Sequence, residues 1–249
     1  MKETRILMDM PITVEVVDKD ATQRTLDKIY DYFTYIDNTF STFKKDSEIS
    51  QINRGELEEE VYSDDMRTVL ALCEETRDET SGYFNIARNG KLDPSGLVKG
   101  WAIQNAATLL LEDGFENYYV DAGGDIEVHG TNSKGKPWRV GIRNPFNRDQ
   151  VVKVVKLEDQ GIATSGTYIR GQHVYNPLQP KEKITDIVSL SVIGPNVYDA
   201  DRYATAAFAM GYKGIEFIEK LPGFEGYLID KNGMAIFTKR FNDYVVQHA

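Results

Sequence analysis

Two eleven-residue segments of this chain agree at six positions, and each follows a predicted helix and leads into a predicted hairpin. The first covers residues 114–124 and the second covers residues 223–233. One interpretation is an internal duplication, in which the helix at 99–112 corresponds to one or two helices at 197–220. A common turn pattern that recurs by coincidence explains the agreement equally well. Under both interpretations the fold contains two helix-to-hairpin units of the same kind.

Apolar residues with helical spacing dominate the first half of the chain. In residues 21–40 they recur every three or four positions, which predicts an amphipathic helix. Ser63 is a suitable N-cap for a second helix that ends before Gly82, and a third helix is predicted over 99–112, closed by Gly114. The residues expected to face the core are Leu26, Ile29, Tyr30, Phe33, Ile36, Phe40, Met66, Val69, Leu70 and Cys73.

Short segments rich in β-formers and bounded by Gly, Asn and Pro predict the strands. An opening strand is predicted over 5–17, and later strands at 117–121, 125–129, 137–142, 151–156, 186–193, 226–230 and 234–238. A helix from Val197 and a short helix at 213–220 interrupt the later strands. We therefore expect an α+β fold with mixed, largely antiparallel sheets flanked by helices.

Composition and charge limit the class of protein. The 249 residues are 41% hydrophobic, which suffices for a core in one large domain or two small ones. A formal charge of −10 argues against general nucleic-acid binding, so a phosphate-bearing ligand would need a local positive site or a metal. The longest apolar run is too short to cross a bilayer and the first residues contain no apolar signal core, so we expect a cytoplasmic protein without a membrane anchor. Cys73 is the only cysteine, which excludes an intramolecular disulfide.

Asp201 and Thr205 fall one turn apart on the helix predicted from Val197. A carboxylate and a hydroxyl on one helix face suit a hard cation such as Mg²⁺ or Ca²⁺. The alternative is local: Asp201 caps or pairs nearby, and Thr205 bonds back to its own helix. Zinc is not indicated, because the chain has neither a His-x-x-x-His nor a paired-cysteine spacing.

Three segments rich in small residues are candidate ligand-binding sites, and two of them, residues 93–101 and 161–166, are candidates for phosphate. Residues 93–101 lead into the third helix, so their backbone N–H groups and Lys99 can face an anion. Residues 122–125 join two predicted strands, and residues 161–166 follow another. Ordinary turns or a bulge account for each of these segments as well.

His173 precedes an extended pre-proline segment and is the best candidate for a general base. His129, at the end of a strand, and His248, in the terminal tail, are expected at the surface. The chain has no Gly-x-Ser-x-Gly elbow, so a serine hydrolase is not indicated.

Taken in order, seven short motifs over nearly the whole chain resemble the ApbE family of flavin transferases. They are Met8-Asp-Met-Pro11, Phe40-Ser-Thr-Phe43 with Ser47-Glu-Ile-Ser-Gln-Ile-Asn53, residues 93–101, Gly123-Gly124-Asp125, Ala163-Thr-Ser-Gly166, His173-Val-Tyr-Asn-Pro177 and Ala200-Asp201-x-x-Ala-Thr205. Members of this family cut FAD and attach its FMN half to a Thr or Ser of another protein, releasing AMP. The resemblance implies one domain over residues 1–249, FAD as substrate, Mg²⁺ as cofactor and a flavoprotein as acceptor.

The resemblance also implies roles for individual residues. The metal ligands would be the backbone carbonyl of Val98, Asp201 and Thr205, and the catalytic base would be His173. The implied FAD-binding residues are Met8, Phe43, Tyr83, Phe84, Asn85, Ser95, Lys99, Trp101 and Tyr175. The expected activity is Mg²⁺-dependent FMN transfer from FAD to a protein hydroxyl. An FAD pyrophosphatase, in which water replaces that hydroxyl, and a non-catalytic FAD-binding protein are the alternatives.

Three positions depart from the residues usual in the family. Asp9 replaces a glycine near the flavin, Phe43 replaces a tyrosine and Asn85 replaces an aspartate. Because an amide oxygen can still accept a hydrogen bond, we expect adenine binding to survive at Asn85 with altered strength. The stretch between Asn85 and Asp93 is also shorter than usual, and the family's common lipoprotein signal is absent from this sequence. These features indicate a compact cytoplasmic member.

Overall fold

The computed structural model describes residues 1–167 and 174–247, with the side chain of Arg148 left out. Its strands are β1 (Lys2–Leu7), β2 (Met10–Val16), β3 (Ala87–Arg88), β4 (Lys91–Leu92), β5 (Tyr118–Ala122), β6 (Asp125–His129), β7 (Trp138–Asn144), β8 (Asn147–Leu157), β9 (Gln160–Gly166), β10 (Ile187–Gly194), β11 (Glu225–Asp230) and β12 (Ala235–Phe237). Its helices are α1 (Gln23–Phe40), α2 (Glu48–Asn53), α3 (Asp64–Glu79), α4 (Ser95–Glu112), α5 (Val197–Ala209) and α6 (Lys213–Glu219). Short 3₁₀ turns cover Glu59–Val61 and Phe241–Asp243.

One eight-stranded sheet organises these elements. Its spatial order is β1-β2-β5-β6-β9-β10-β11-β12, and every neighbouring pair is antiparallel. The strands β3–β4 and β7–β8 form two separate antiparallel ribbons. The expected α+β fold with largely antiparallel sheets is confirmed.

The sheet consists of two halves with the same order of elements. Each half is a pair of adjacent strands, a connection that contains helices and a second pair: β1-β2 then β5-β6, and β9-β10 then β11-β12; the first connection also contains the ribbon β3–β4. The two similar segments begin at Gly114 and Gly223, whose φ angles are +89° and +84°. In each segment an aspartate, Asp121 or Asp230, accepts hydrogen bonds from backbone N–H groups of the following turn. This repeated order is what the duplication interpretation predicts.

The helices form where the sequence pattern places them. The predicted apolar stripe of α1 is buried, and Ser63 Oγ caps α3 by accepting from the Met66 N–H at 3.1 Å. The third helix begins at Ser95, one turn earlier than predicted. None of the helices in the described ranges is long and apolar enough to span a membrane.

The two faces of the sheet carry separate apolar clusters. On one face, strands such as β2 and β5 pack against α1, α4 and α5, and Phe33, Trp101 and Phe208 belong to this cluster. On the other face the ribbon β7–β8 packs on β6, β9, β10 and β11, with Trp138 and Phe241 in its cluster. The first cluster lies beneath the candidate site.

Two predictions about local structure are wrong. The single opening strand over 5–17 is two strands joined by a tight turn, in which Met8 and Asp9 adopt φ angles of +52° and +57°. The turn was not recognisable because it lacks the glycine that such angles favour. Residues 161–166 are not a turn but the central strand β9. Its small residues have a steric cause at Gly161, where an added Cβ would lie 2.0 Å from the Val197 nitrogen.

Candidate functional site

The site is built where helices α4 and α5 cross. Gly96 and Gly100 lie one turn apart on α4, facing Thr205 and Asp201 of α5. A Cβ at Gly100 would lie 2.6 Å from Asp201 Cβ, and a Cβ at Gly96 would lie 3.1 Å from Thr205 Cγ2. The two glycines therefore let the backbone of α4 approach the polar face of α5 directly.

The polar partners of Asp201 and Thr205 lie on neighbouring elements. Asp201 is 2% exposed, and its Oδ2 accepts a hydrogen bond from the Gly100 N–H at 2.8 Å. The Thr205 hydroxyl lies 3.3 Å from the Gly96 carbonyl oxygen, to which it donates, and 3.4 Å from the Ser165 hydroxyl of β9. This arrangement differs from the local alternative, in which Asp201 caps or pairs locally and Thr205 bonds back to its own helix: the partners shown here belong to α4 and β9.

Lys99 and Asp125 complete a buried charged group with Asp201. The Lys99 ammonium pairs with Asp125 Oδ2 and lies 3.7 Å from Asp201 Oδ1. Asp125 is itself buried, and its Oδ1 accepts from the Thr164 N–H at 2.9 Å. Burial raises the pKa of Asp201 to about 7, although the positive charge of Lys99 opposes this shift.

Asp125 is the main site residue to which sequence reasoning gave no role. Its position directly after Gly123-Gly124 belongs to a motif that predicts turn chemistry and supports the family resemblance, but that assigns the side chain no role. The available signal is a carboxylate on the first residue of a strand that also contains the apolar residues Ile126 and Val128. The structure also shows that Lys99 forms an ion pair with Asp125. The carboxylate of Asp125 partly neutralises the positive charge with which Lys99 could attract an anion.

The oxygen donors near Thr205 fit a hard cation. Asp201 supplies a carboxylate, Thr205 a hydroxyl and α4 its backbone carbonyls, and such oxygens are the ligands that Mg²⁺ prefers. In residues 1–167 and 174–247, no cluster of three His, Cys, Asp or Glu side chains could hold a metal. A cation at this place would therefore need hydroxyl and carbonyl ligands as well. Val98 lies buried within α4, and the α4 carbonyl in contact with Thr205 is that of Gly96.

Two adjoining concave regions form a cleft beside this group and share Asp93, Ser95 and Lys99. The first surrounds Asp201 and Thr205, and its further lining includes Tyr83, Phe84, Asn85, Arg88, Thr164, Ser165, Val174 and Tyr175. The second is lined by Met8, Asp9, Met10, Asp37, Phe40, Ser41, Thr42, Phe43 and Val98. The cleft thus brings together most of the residues that the sequence implicated in FAD binding.

The cleft residues differ in how free they are to contact a ligand. Phe43 is 92% exposed at the cleft mouth, whereas Phe84 is buried in its wall. The Tyr175 hydroxyl donates to the Asn85 carbonyl at 3.2 Å, and the Arg88 guanidinium lies 4.3 Å from the centre of the Tyr175 ring. The Asn85 side-chain oxygen already accepts from the Ala87 N–H at 2.8 Å. The remaining lone pair of that oxygen is the one available to a ligand.

Trp101 and His129 do not line the cleft. Trp101 is in the core, where it packs edge-on against Phe40 at 5.9 Å, and it is not among the described residues that line the cleft. His173 lies outside the described residues, as does His248, so both predictions stay predictions. His129 Nδ1 lies 2.8 Å from Asp159 Oδ1 at a partly exposed position.

Glu127 contacts the start of helix α5, which carries Asp201 and Thr205. Its Oε2 accepts from the Val197 N–H at 2.6 Å, at the first residue of α5. Burial raises the pKa of Glu127 to about 8, and the bond from Val197 opposes the shift. This buried carboxyl group therefore positions the helix that carries Asp201 and Thr205.

Comparison with known proteins decides the family. A family model described as "ApbE family" matches residues 8–90 and 87–228, which is most of the chain. The chain belongs to the ApbE family. It is 32% identical over 156 residues to the FAD:protein FMN transferase of Klebsiella pneumoniae, covering 59% of this chain and 45% of that relative. The corresponding protein of Escherichia coli is 31% identical over 156 residues, with 59% and 44% covered. The chain thus matches less than half the length of these curated relatives.

Solved ApbE structures share the fold over almost the whole chain. The flavin transferase ApbE from Vibrio cholerae has a TM-score of 0.86 at 22% identity, and 98% of each chain is covered. The ApbE protein from Thermotoga maritima has a TM-score of 0.85 at 20% identity, with 99% of each chain covered. At this level of identity the comparison establishes the ApbE fold.

Proposed function

We propose that this ApbE-family protein is a Mg²⁺-dependent FAD:protein FMN transferase. The observation that carries the proposal is the placement of Asp201, Thr205 and Lys99 together at one end of a cleft whose walls hold aromatic side chains. The names of the curated relatives support it. The proposed acceptor is a Thr or Ser hydroxyl of a flavoprotein.

The proposed reaction exchanges one P–O bond for another. The acceptor oxygen attacks the phosphorus of the FMN half of FAD, and the bond from that phosphorus to the bridging oxygen breaks. FMN becomes attached through a phosphodiester, and AMP leaves with the bond's electron pair. The proton of the hydroxyl must pass to a base, and the predicted base is His173.

The chain's own residues would bind and orient FAD. Asp201, Thr205 and the Val98 carbonyl are the proposed ligands of Mg²⁺, which when bound would neutralise charge on the pyrophosphate oxygens. Asp125 pairs with Lys99 and holds its ammonium beside Asp201. The positive charge of Lys99 therefore lies close to the proposed position of the pyrophosphate. The exposed ring of Phe43 and the ring of Tyr175 offer flat surfaces against which the ring systems of FAD can stack.

The experiment follows AMP release and protein fluorescence after incubation with FAD, Mg²⁺ and a candidate acceptor protein. We expect Asp201→Asn to reduce AMP release about 10²-fold or more while FAD binding is retained, because the charge is lost but an acceptor for the Gly100 N–H remains. Unchanged AMP release would refute the metal assignment. We expect His173→Ala to slow transfer about 10²-fold, the usual scale of lost acid–base catalysis.

The same assay separates the alternative activities. Free FMN and AMP without a fluorescent protein adduct would identify an FAD pyrophosphatase. FAD binding without AMP release would identify a non-catalytic flavin-binding protein. The cytoplasmic location and the organisation as one domain over residues 1–249 remain predictions from the sequence.

A further inference from the structure

A basic pocket lies beside the cleft, in a chain whose formal charge is −10. Among the described residues, its charged lining consists of Lys45, Arg54, Arg88 and Lys91, with Asp93 as the single carboxylate. The pocket is continuous with the cleft, because Phe43, Arg88 and Asp93 also line the concave regions described above. It therefore opens next to the proposed site of FMN transfer.

Three of the four cations that line this pocket form no salt bridge with a described residue. Arg54 pairs with Glu56 through two hydrogen bonds. Lys45, Arg88 and Lys91 are exposed, and across residues 1–167 and 174–247 none of the three forms a salt bridge. The pocket is thus a local region of positive potential on a negatively charged molecule.

The fold holds two of these cations against their mutual repulsion. Arg88 and Lys91 are direct cross-strand partners in the ribbon β3–β4, and like charges at such positions are destabilising. The turn Asn89-Gly90, with φ angles of +52° and +75°, fixes that pairing. Asn53 holds the ribbon to α2, because its side chain exchanges hydrogen bonds of 2.9 and 2.7 Å with the backbone of Leu92. Arg88 and Lys91 thus depart from the rule that like charges avoid opposite positions on paired strands. Because such departures are expected at functional sites, the pair indicates a functional reason for the two charges.

We propose that the basic pocket docks an acidic segment of the acceptor protein and so delivers its hydroxyl to the cleft. The inference rests on the proposed function and names the chemistry of its partner. Carboxylates of the segment would pair with Lys45 and Lys91, while the exposed ring of Phe43 offers an apolar contact at the boundary with the cleft. Because the chain as a whole repels an acidic partner, this local attraction selects the side from which the partner approaches.

The test uses a peptide with one threonine flanked by glutamates, labelled with a dye of zero net charge, and a second peptide with glutamines instead. Binding to the full chain is measured by fluorescence anisotropy at low ionic strength. The variant Lys45→Glu/Lys91→Glu is compared with Lys134→Glu/Lys136→Glu, which changes the net charge equally at exposed positions that line neither the cleft nor the basic pocket. Arg88 is left intact because it also lines the cleft.

We expect the glutamate peptide to bind at least about tenfold more tightly than the glutamine peptide. The Lys45/Lys91 variant should lose most of this preference, whereas the control should keep it to within about twofold. Equal binding of the two peptides, or equal losses in the two variants, would overturn the proposal. An accompanying loss of FAD affinity in the Lys45/Lys91 variant would also overturn it, by assigning the pocket to FAD.

The experiments can refute the proposed function and the docking proposal independently of each other. If the glutamate peptide binds selectively but wild-type protein transfers no FMN to any acceptor, the docking proposal stands and the transferase proposal does not. If FMN transfer occurs and is insensitive to the Lys45/Lys91 substitutions, the reverse holds.

Discussion

Three buried carboxyl groups, those of Asp125, Glu127 and Asp201, lie around the N-terminal half of α5. Burying a carboxylate costs free energy unless a cation or hydrogen-bond donors compensate. Asp125 has Lys99 and the Thr164 N–H, and Asp201 has the Gly100 N–H and the nearby Lys99. For Glu127 the structure provides the Val197 N–H. We therefore expect Glu127 to contribute to the pH dependence that this region confers on stability.

The prediction for Glu127 follows from its raised pKa. The pKa of Glu127 is raised from 4.5 to about 8, so between these values the folded protein holds a proton that the unfolded chain has lost. The stabilising contribution is complete below about pH 4.5, declines as the pH rises and is lost above about pH 8. Between about pH 6 and pH 9, the wild type should lose roughly 3 kcal/mol more of its free energy of unfolding than Glu127→Gln does.

Urea denaturation at the two pH values measures this difference, and comparison with Glu127→Gln removes the contributions of other titrating groups. Glu116→Gln, at an exposed position before β5, serves as the matched control and should follow the wild type. Identical pH profiles for the wild type and Glu127→Gln would contradict the assignment of a raised pKa to this group.

At the scale of elements, the crossing of α4 and α5 determines the site. In an isolated helix, Gly→Ala stabilises by about 1 kcal/mol. At Gly100 the added Cβ would lie 2.6 Å from Asp201 Cβ and 2.9 Å from the Val197 carbonyl oxygen, so the helices must separate. We predict that Gly100→Ala lowers the free energy of unfolding by about 2 kcal/mol and reduces AMP release, because Asp201 is displaced.

Chemical denaturation and the AMP assay test this prediction together. Gly96→Ala provides the comparison, since its Cβ would lie no closer than 3.1 Å to its nearest neighbour, the methyl group of Thr205. Its destabilisation should be clearly smaller. A Gly100→Ala protein that is more stable than the wild type would show that the helices do not make this close contact.

Elements with strong local signals were predictable from the sequence. The apolar stripe of α1, the Ser63 cap of α3 and the glycine after α4 each act over a few residues, and all three are found where expected. By contrast, β9 is a strand because β6 and β10 pair with it on both sides, which its run of small residues does not reveal. Long-range pairing overrides local propensity in such segments.

The site shows the same division between local and long-range information. The i, i+4 spacing of Asp201 and Thr205 was readable from the sequence, and it places both side chains on the α4-facing side of α5. The ion pair between Lys99 and Asp125 was not readable, because it depends on how α4 lies over the sheet. The core position of Trp101 beside Phe40 likewise depends on the packing of α1 against α4.

At the scale of the whole molecule, the strands of one sheet contribute side chains to both apolar clusters. Along β9, Ile162 and Ala163 point to opposite clusters, and along β11 Leu228 faces the helices while Tyr227 and Ile229 face the ribbon β7–β8. Neither cluster can be lost without disturbing strands that the other requires. We therefore predict that the described part of the fold unfolds as one cooperative unit, although its two halves repeat the same order of elements.

The chain's two tryptophans report on the two clusters separately, since Trp101 lies in the helix-side cluster and Trp138 in the ribbon-side cluster. Trp138→Phe leaves Trp101 as the reporter, and Trp101→Phe leaves Trp138. In urea, the fluorescence midpoint of each variant should coincide with its own far-UV circular dichroism midpoint. Because both midpoints come from the same variant, the stability lost through the substitution affects them equally. If the Trp138 signal instead changed at lower urea than the circular dichroism of the same variant, the ribbon face would unfold on its own. Coincidence in both variants would show that the helices holding Asp201 and Lys99 are stabilised by the far face of the sheet as well as by their own cluster.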